Sequence, residues 1–274
     1  MNIVLGIFLL SGLAFGQDLD FHRRESSLAF AKEFGVSGGE ILIEENSQDC
    51  LRTGYQRSSG KIIFCSGSRV INGGRSSVDV IHHEFFHALF CGVNPELCAD
   101  PENDYLQEAL ADAFAFRLTP DEFFGENFYT DQPYIRKYQT DWLPELVQSE
   151  HEKGSAVAAK FIRSGKPLST FLPLFGKPMP SFVSVSVLGA PYSKLNRYRL
   201  KKNQTVSFNF QFDPSVKVKT ISWQTPPGVE IVTNGLSSSI RLTEVFQGDK
   251  SFVSFKTDDG KEVGRWTFYF GREI

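Results

Sequence analysis

Residues 77–92 read SVDVIHHEFFHALFCG, and this stretch decides the architecture of the first half of the chain. Its apolar residues lie on nearly every side of a helical wheel, which is typical of a helix that is buried all round. Ser76, with Asp79 three residues later, forms a capping box, and Gly92 is a typical helix stop. The sequence therefore predicts a buried helix over 77–91.

Three of the five histidines lie in this helix, in the hexapeptide His82-His83-Glu84-Phe85-Phe86-His87. Residues four apart lie about 40° from each other around a helix axis, so His83 and His87 can direct their imidazoles at one metal ion. Glu84 lies beside them and can reach a water molecule on that ion. If these side chains were ordinary core residues, each one left without a hydrogen-bond partner would destabilise the folded state by several kcal/mol. The spacing thus favours a metal site.

A second helix predicted over 105–118 supplies the remaining ligand. Glu108 and Asp112 are four residues apart between alanines, leucine and phenylalanine, and like charges at this spacing repel unless a cation offsets them. A catalytic zinc site takes three protein ligands and leaves one position for water. We expect Glu108 to be the third ligand and Asp112 to accept the free ring N–H of a ligand histidine.

The pattern His83-Glu84-x-x-His87 followed by Glu108-x-x-x-Asp112 resembles the gluzincin metallopeptidases, the group that includes thermolysin. The resemblance implies Zn²⁺ as cofactor, both histidines and Glu108 as ligands, and Glu84 as general base. It also implies a strand before the zinc helix that binds extended peptide along its edge, and Lys61 to Arg69 is the candidate strand.

The three histidines other than His83 and His87 are less informative. Some gluzincins place a donor to the oxyanion in an H-x-x-G pattern, and His151 with Gly154 is similar, so His151 is a candidate catalytic residue. The alternative is an exposed histidine near a charged helix end. His22 has no motif and is assigned to the surface or to local packing. His82 points about 100° away from His83 and is assigned to packing or to support of the metal site.

The N-terminus and the cysteines indicate export. Residues 1–16, MNIVLGIFLLSGLAFG, resemble a signal peptide, although no basic residue precedes the apolar run. A membrane anchor is the alternative, but about 14 helical residues span only roughly 21 Å of a ~30 Å hydrocarbon core. The cysteines, which indicate two local disulfides, are Cys50, Cys65, Cys91 and Cys98. Of the three possible connectivities, sequential pairing is favoured because short loops close most easily. A secreted or periplasmic location follows.

The second half of the chain has a different pattern. Four prolines between 164 and 182 indicate a linker, and helical stretches over 142–150 and 154–163 precede it. Beyond it, short runs with strand periodicity alternate with turns, as in Val206, Phe208 and Phe210. The predicted fold is α+β, with a small zincin-like catalytic domain at 17–175 and an all-β, immunoglobulin-like sandwich at 176–274.

Composition limits the partners. With 29 Lys and Arg against 32 Asp and Glu, the net charge of −3 does not favour nucleic acid. After removal of the signal peptide we expect no integral membrane span. The predicted function is a secreted zinc-dependent endopeptidase acting on peptides or proteins, whose C-terminal domain could bind a protein or surface target. One alternative is a zinc-stabilised binding or adhesion protein without catalysis, acting through its β-sandwich. Another is a zinc hydrolase acting on a non-peptide bond.

Overall fold

The computed structural model describes most of the chain. The described residues are 19–46, 53–65, 77–126, 128–129, 133–138, 141–177, 179, 181–191, 193, 196–201, 203–243 and 250–272. The predicted signal peptide and Cys50 lie outside them. Among the described residues, no helix has both the length and the apolar character needed to cross a membrane.

The chain divides into two compact units. The first contains the described residues of Met1–Tyr138 and Ala158–Gly176, and the second those of Gln139–Val157 and Lys177–Ile274. The last division lies after Gly176, and the domain boundary at 175/176 stays a prediction from the sequence. Segment Gln139–Val157 groups with the second unit, whereas the sequence analysis assigns it to the first domain.

The first unit combines a small sheet with helices. Its helices are α1 (Leu19–Phe34), α2 (Val78–Val93), α3 (Pro95–Ala99) and α4 (Asp104–Leu118), and its strands are β1 (Leu42–Asn46), β2 (Gly54–Gln56), β3 (Lys61–Cys65), β4 (Phe123–Phe124) and β5 (Arg136–Lys137). The first three strands form one sheet in the order β1-β3-β2, with β1 parallel and β2 antiparallel to β3. Strands β4 and β5 form a separate antiparallel pair.

Helix α2 is the centre of the first unit. Its phenylalanines are buried, and Phe86 contacts Phe30 of α1 and Phe114 of α4 at ring distances of 6.0 and 5.4 Å. The predicted stop at Gly92 is wrong, because the helix continues to Val93 and is capped by Asn94. Gly92 instead allows a close approach: a Cβ there would lie 2.4 Å from the Cα of Gly39. Packing, rather than helix termination, thus requires this glycine.

The start of α2 also differs from the predicted capping box. Ser77 is the N-cap residue and makes no side-chain capping hydrogen bond, while Ser76 lies outside the described residues. Asp79 accepts hydrogen bonds from the backbone N–H of Val80 at 2.9 Å and of Gly125 at 2.5 Å. This carboxylate therefore ties the first turn of α2 to the segment after β4.

A disulfide joins Cys91 in the last turn of α2 to Cys98 in α3, as sequential pairing predicts. Cys65 at the end of β3 is also disulfide-bonded. Its predicted partner lies outside the described residues.

Helix α5 (Glu150–Ser164) contributes its residues up to Val157 to the second unit and the rest to the first. The helix predicted over 142–150 is wrong, because only a short 3-10 turn forms, at Pro144–Leu146. Trp142 and Leu146 are buried there, and the N–H of Leu143 donates to the carbonyl of Val263 at 2.8 Å. This segment is therefore hydrogen-bonded to the second unit and does not form a helix of its own.

The predicted linker is partly ordered within the first unit. Leu168–Leu174 forms a 3-10 helix, in which the N–H of Leu168 donates to the carboxylate of Glu33 at 2.8 Å. Phe171 stacks on Phe161 of α5 at 3.8 Å. Prolines prevent an α-helix here, but they permit this tighter form.

The second unit contains two four-stranded sheets. The strands are β6 (Val183–Leu188), β7 (Arg197–Leu200), β8 (Thr205–Phe212), β9 (Thr220–Gln224), β10 (Val229–Asn234), β11 (Ser237–Leu242), β12 (Lys250–Lys256) and β13 (Glu262–Arg272). Their orders are β10-β11-β8-β6 and β7-β13-β12-β9. Phe208, Ile240, Phe255 and Phe268 come from both sheets and share one buried core. With the helices of the first unit, these sheets make the chain α+β, as predicted.

Candidate metal centre

Neighbouring helices α2 and α4 bring three potential ligands together. His83 and His87 are one turn apart on α2, and their Nε2 atoms are 3.1 Å apart. Glu108 on α4 faces both, with Oε2 3.2 Å from His83 Nε2 and Oε1 3.6 Å from His87 Nε2. Helical spacing places the imidazoles on one face, and the packing of α4 against α2 supplies the carboxylate.

These distances suit a zinc ion. In a tetrahedral site with bonds of 2.0–2.1 Å, neighbouring ligand atoms are about 3.3–3.4 Å apart. The two Nε2 atoms are 3.1 Å apart, and each lies 3.2 to 3.6 Å from a different oxygen of Glu108, which is close to that separation. Two imidazole nitrogens with one carboxylate are also a ligand set that catalytic zinc uses. The geometry and chemistry of the donors therefore fit the ion that the sequence predicts.

Asp112 orients His83. Its Oδ1 lies 2.9 Å from His83 Nδ1, on the side of the ring away from Glu108. A carboxylate this close to Nδ1 favours a proton on that nitrogen, which leaves the lone pair of Nε2 for a metal. Asp112 is itself fixed by Arg136 of β5, whose Nε and Nη2 atoms donate to its two oxygens at 3.1 and 2.5 Å.

The charges of the site shift the pKa values of its members strongly. Burial lowers the pKa of His83, but the hydrogen bonds and charges of Asp112 and Glu108 outweigh it and raise that pKa to about 10 when no cation neutralises them. Burial raises the pKa of Asp112, but Arg136 and His83 outweigh it and lower the value to about 2. The site thus attracts positive charge, whether a proton or a metal ion carries it.

Glu84 lies next to His83 in the sequence and is half-buried. Its Oε2 accepts a hydrogen bond from the backbone N–H of Tyr55 in strand β2 at 2.7 Å. Burial raises the pKa of Glu84, against the opposing charge of His83. A carboxylate with a raised pKa is better matched to accepting and returning a proton near neutral pH.

Four residues that the sequence analysis did not single out complete the surroundings. Arg136 lies over the ring of Phe124 at 4.1 Å, and that ring lies 5.2 Å from His83. The hydroxyl of Tyr138 donates to the backbone carbonyl of Asp112 at 3.0 Å, and the Tyr55 ring stacks on His87 at 6.3 Å. None of these residues belongs to a motif, so only the fold reveals them.

The prediction that the strand beginning at Lys61 is an edge strand that binds peptide is wrong. Lys61–Cys65 is the central strand of its sheet, with β1 on one side and β2 on the other, so its backbone groups are used within the sheet. Residues 66–69 lie outside the described part of the chain. The edge strand that contacts the site is β2, through the bond from Tyr55 to Glu84.

His151 belongs to the second unit. It lies in the first turn of α5 with an exposed side chain. Its catalytic role stays a prediction from the sequence. His82 points away from the metal centre toward α1, where its Nδ1 lies 2.7 Å from the hydroxyl oxygen of Ser26.

Comparisons with known proteins do not identify a family. No family model matches the chain, and no curated protein matches it either. Among solved structures, the chain is similar to the twitchin kinase region from C. elegans (Fn31-NL-kin-CRD-Ig26) with 8% sequence identity and a TM-score of 0.21. That similarity covers 93% of this chain and 43% of the twitchin chain.

Proposed function

We propose that the protein is a zinc-dependent endopeptidase of the gluzincin type. The observation that carries this proposal is the convergence of His83 Nε2, His87 Nε2 and the Glu108 carboxylate at 3.1 to 3.6 Å, with Glu84 adjacent to them. A purely structural zinc site has no use for a carboxylate beside its ligands, whereas hydrolysis requires one. Glu84 therefore favours a peptidase over a zinc-stabilised binding protein.

Zinc held by His83, His87 and Glu108 would supply an acidified water molecule and polarise the scissile carbonyl group. Glu84 would accept a proton from the attacking water and return it to the departing amine. The N–H of Tyr55 holds Oε2 of Glu84 at 2.7 Å and so limits the rotation of the carboxylate. The other carboxylate oxygen is then available for proton transfer.

The remaining polar groups position the ligands. Asp112 holds His83 in the tautomer that presents Nε2, and Arg136 fixes both oxygens of Asp112. Because Arg136 also lies over Phe124, its guanidinium group is held on two sides. Such supporting contacts preserve ligand geometry without touching the substrate.

The biological setting follows from the same proposal. The protein is exported to a secreted or periplasmic location, which the disulfide between Cys91 and Cys98 favours because such bonds persist in oxidising compartments. Its first domain is a small zincin-like catalytic domain that acts on peptides or proteins. Its C-terminal unit is an immunoglobulin-like sandwich that binds a protein or surface target.

The deciding experiment compares the wild type with the Glu84→Gln variant on an unfolded protein substrate such as casein. We expect the variant to retain zinc and to cleave about 10²–10⁴-fold more slowly, since general-base catalysis contributes about this factor. Treatment with 1,10-phenanthroline should abolish wild-type cleavage, and added zinc should restore it.

The exposed Glu40 provides a matched control, because Glu40→Gln makes the same chemical change at a residue that is not part of the candidate site. Its cleavage rate should equal that of the wild type. Undiminished cleavage by Glu84→Gln would contradict the role of this residue. A folded wild-type protein that binds zinc but cleaves nothing, with or without the chelator, would favour the binding-protein alternative.

A further inference from the structure

A second group of metal-binding side chains lies between α1 and a different face of α2. It consists of His22 and Glu25 from α1 and His82 from α2, and its ligand atoms lie within 4.8 Å of one another. Oε2 of Glu25 is 3.6 Å from His82 Nε2 and 3.8 Å from His22 Nδ1. One carboxylate oxygen thus faces two imidazole nitrogens.

The orientation of His82 leaves one nitrogen available to this group. Its Nδ1 lies 2.7 Å from the hydroxyl oxygen of Ser26, a normal hydrogen-bonding distance. When Nδ1 carries the ring proton and donates it to Ser26, Nε2 presents its lone pair toward Glu25. His82 is only 1% exposed, so water does not surround it. The rings of His22 and His82 are 5.0 Å apart and nearly perpendicular.

The distances leave room for an ion between these side chains. A protonated histidine bound directly to a carboxylate gives a nitrogen–oxygen distance of about 2.7–2.9 Å. Both contacts of Glu25 are longer, at 3.6 and 3.8 Å, and exceed a normal hydrogen bond. They are close to the separation of about 3.3–3.4 Å between two ligands of one tetrahedral zinc ion. Small rotations of the Glu25 side chain, which is 40% exposed, would close the difference.

We propose that His22, Glu25 and His82 form a second binding site for Zn²⁺, separate from the centre at His83, His87 and Glu108. Two imidazoles and one carboxylate select an ion of the zinc class over Ca²⁺ or Mg²⁺, which prefer oxygen ligands. The site is independent of the proposed catalysis, because none of its ligands is shared with that centre. Its role is structural: the ion links α1 to α2 across their contact.

The second site is the weaker of the two. Glu25 is 40% exposed, whereas Glu108 is 13% exposed, so ordering Glu25 loses more side-chain freedom. The Glu25 contacts, at 3.6 and 3.8 Å, are also longer on average than the Glu108 contacts, at 3.2 and 3.6 Å. Zinc should therefore fill the centre at Glu108 first and the site at Glu25 second.

The test is a zinc titration of the full chain after removal of metal with a chelator, followed by calorimetry. We expect about two equivalents to bind in two phases. Glu25→Gln, which keeps the size of the side chain, should weaken the second phase more than about 100-fold, since loss of a supporting residue alone costs 10–100-fold in affinity. His22→Ala should do the same. The exposed Glu40, changed to Gln, is the control and should leave both phases unchanged.

The Glu108→Ala variant separates this proposal from the proposed function. If it loses one equivalent while the equivalent sensitive to Glu25→Gln remains, both sites exist. If the wild type binds only one equivalent of zinc, and Glu108→Ala removes it whereas Glu25→Gln does not, the second site is refuted. The peptidase proposal would then still stand. If the wild type binds one equivalent of zinc that is lost only in the Glu25→Gln variant, the second site is supported and the zinc peptidase is refuted. Absence of binding in the wild type would overturn both.

Discussion

Asp112 and Glu108 lie one turn apart on α4 and face opposite nitrogens of the same imidazole. Glu108 approaches His83 Nε2 at 3.2 Å, and Asp112 approaches Nδ1 at 2.9 Å. Two carboxylates on one buried helix face would repel each other in isolation. Arg136 offsets the charge of Asp112, which leaves Glu108 to attract a cation at the other end of the ring.

Replacement of Asp112 with Asn should lower zinc affinity about 10–100-fold, because the amide no longer holds His83 in the tautomer that a metal needs. It should also lower the free energy of unfolding by about 3–5 kcal/mol, because the buried charge of Arg136 loses its partner. Competition with a coloured chelator measures the first effect and urea unfolding the second. Asp141, an exposed partner of Lys261, provides the Asp141→Asn control. Unchanged zinc affinity in Asp112→Asn would remove the argument for its orienting role.

The charge of His83 predicts how pH affects the chelator-treated protein. The pKa of His83 is about 10 in the folded chain and 6.5 in the reference state, so the folded chain holds a proton that the unfolded chain releases. Its contribution to stability is complete below pH 6.5 and is lost as the pH rises toward 10. The temperature of the thermal unfolding midpoint should decrease as the pH is raised from 7 to 10. The decrease should be smaller in the His83→Gln variant. A midpoint that rises over this interval would contradict the assignment.

At the residue scale, spacing predicted which side chains meet at the centre. Helical periodicity grouped His83 with His87, and Glu108 with Asp112, and the need of a zinc site for a third ligand joined the two pairs. Arg136 could not be selected, because it lies on a two-residue strand whose position depends on tertiary packing. The grouping of His22 with His82 was missed for a similar reason, since the packing of α1 against α2 is not encoded in either segment alone.

Among the elements, α2 depends on a close backbone contact as well as on its apolar surface. The Cα of Gly39 would lie 2.4 Å from a Cβ at position 92, and Gly39 donates its N–H to the carbonyl of Leu89 at 2.8 Å. Any side chain at Gly92 must displace backbone, which is less adaptable than a side chain.

Gly92→Ala should therefore lower the free energy of unfolding by about 1–3 kcal/mol, even though alanine favours helix formation by about 1 kcal/mol. Urea unfolding measures the change. Gly54 in β2 is the comparison, because a Cβ there meets nothing within 4 Å and Gly54→Ala should be nearly neutral. Equal stability of Gly92→Ala and the wild type would show that the close contact is unimportant.

The disulfide from α2 to α3 supports a second prediction at this scale. Replacing both Cys91 and Cys98 with Ser removes a cross-link that spans seven residues. The expected loss is about 2–3 kcal/mol, because the unfolded chain regains the entropy of an open loop. Urea unfolding of this double variant, compared with the wild type under oxidising conditions, measures it. A loss near zero would indicate that the helices hold this turn without the bond.

Long, periodic elements were predictable and short ones were not. Helices α2 and α4 and strand β8 follow from side-chain patterns that extend over several turns or alternations. Strands β2 and β7 have three and four residues, so even the alternation of exposed and buried positions in β7 is too short to identify a strand. The helix expected over 142–150 failed because Leu143 bonds to Val263 and Leu146 packs into the core of the second unit. Tertiary contacts there outweigh local helix propensity.

At the scale of the whole molecule, the candidate metal centre belongs to the first unit. Its ligands lie on α2 and α4, while the core of the second unit consists of aromatic and aliphatic side chains from two sheets. Because metal binding stabilises the elements that supply ligands, metal removal should act locally.

Hydrogen exchange with and without a chelator tests this expectation. Amide exchange should accelerate in α2 and α4, whose side chains hold the ion, and remain unchanged in β8 and β12. The sheet strands serve as an internal control in the same sample. Faster exchange in β8 and β12 on metal removal would contradict a site confined to the first unit.

The most direct test of the account is a crystal structure of the zinc-loaded protein with anomalous diffraction measured at the zinc absorption edge. We predict an anomalous peak about 2.0–2.2 Å from His83 Nε2, His87 Nε2 and a carboxylate oxygen of Glu108. A zinc-loaded crystal with no peak among these three side chains, or with Glu108 turned away from the two imidazoles, would contradict the account.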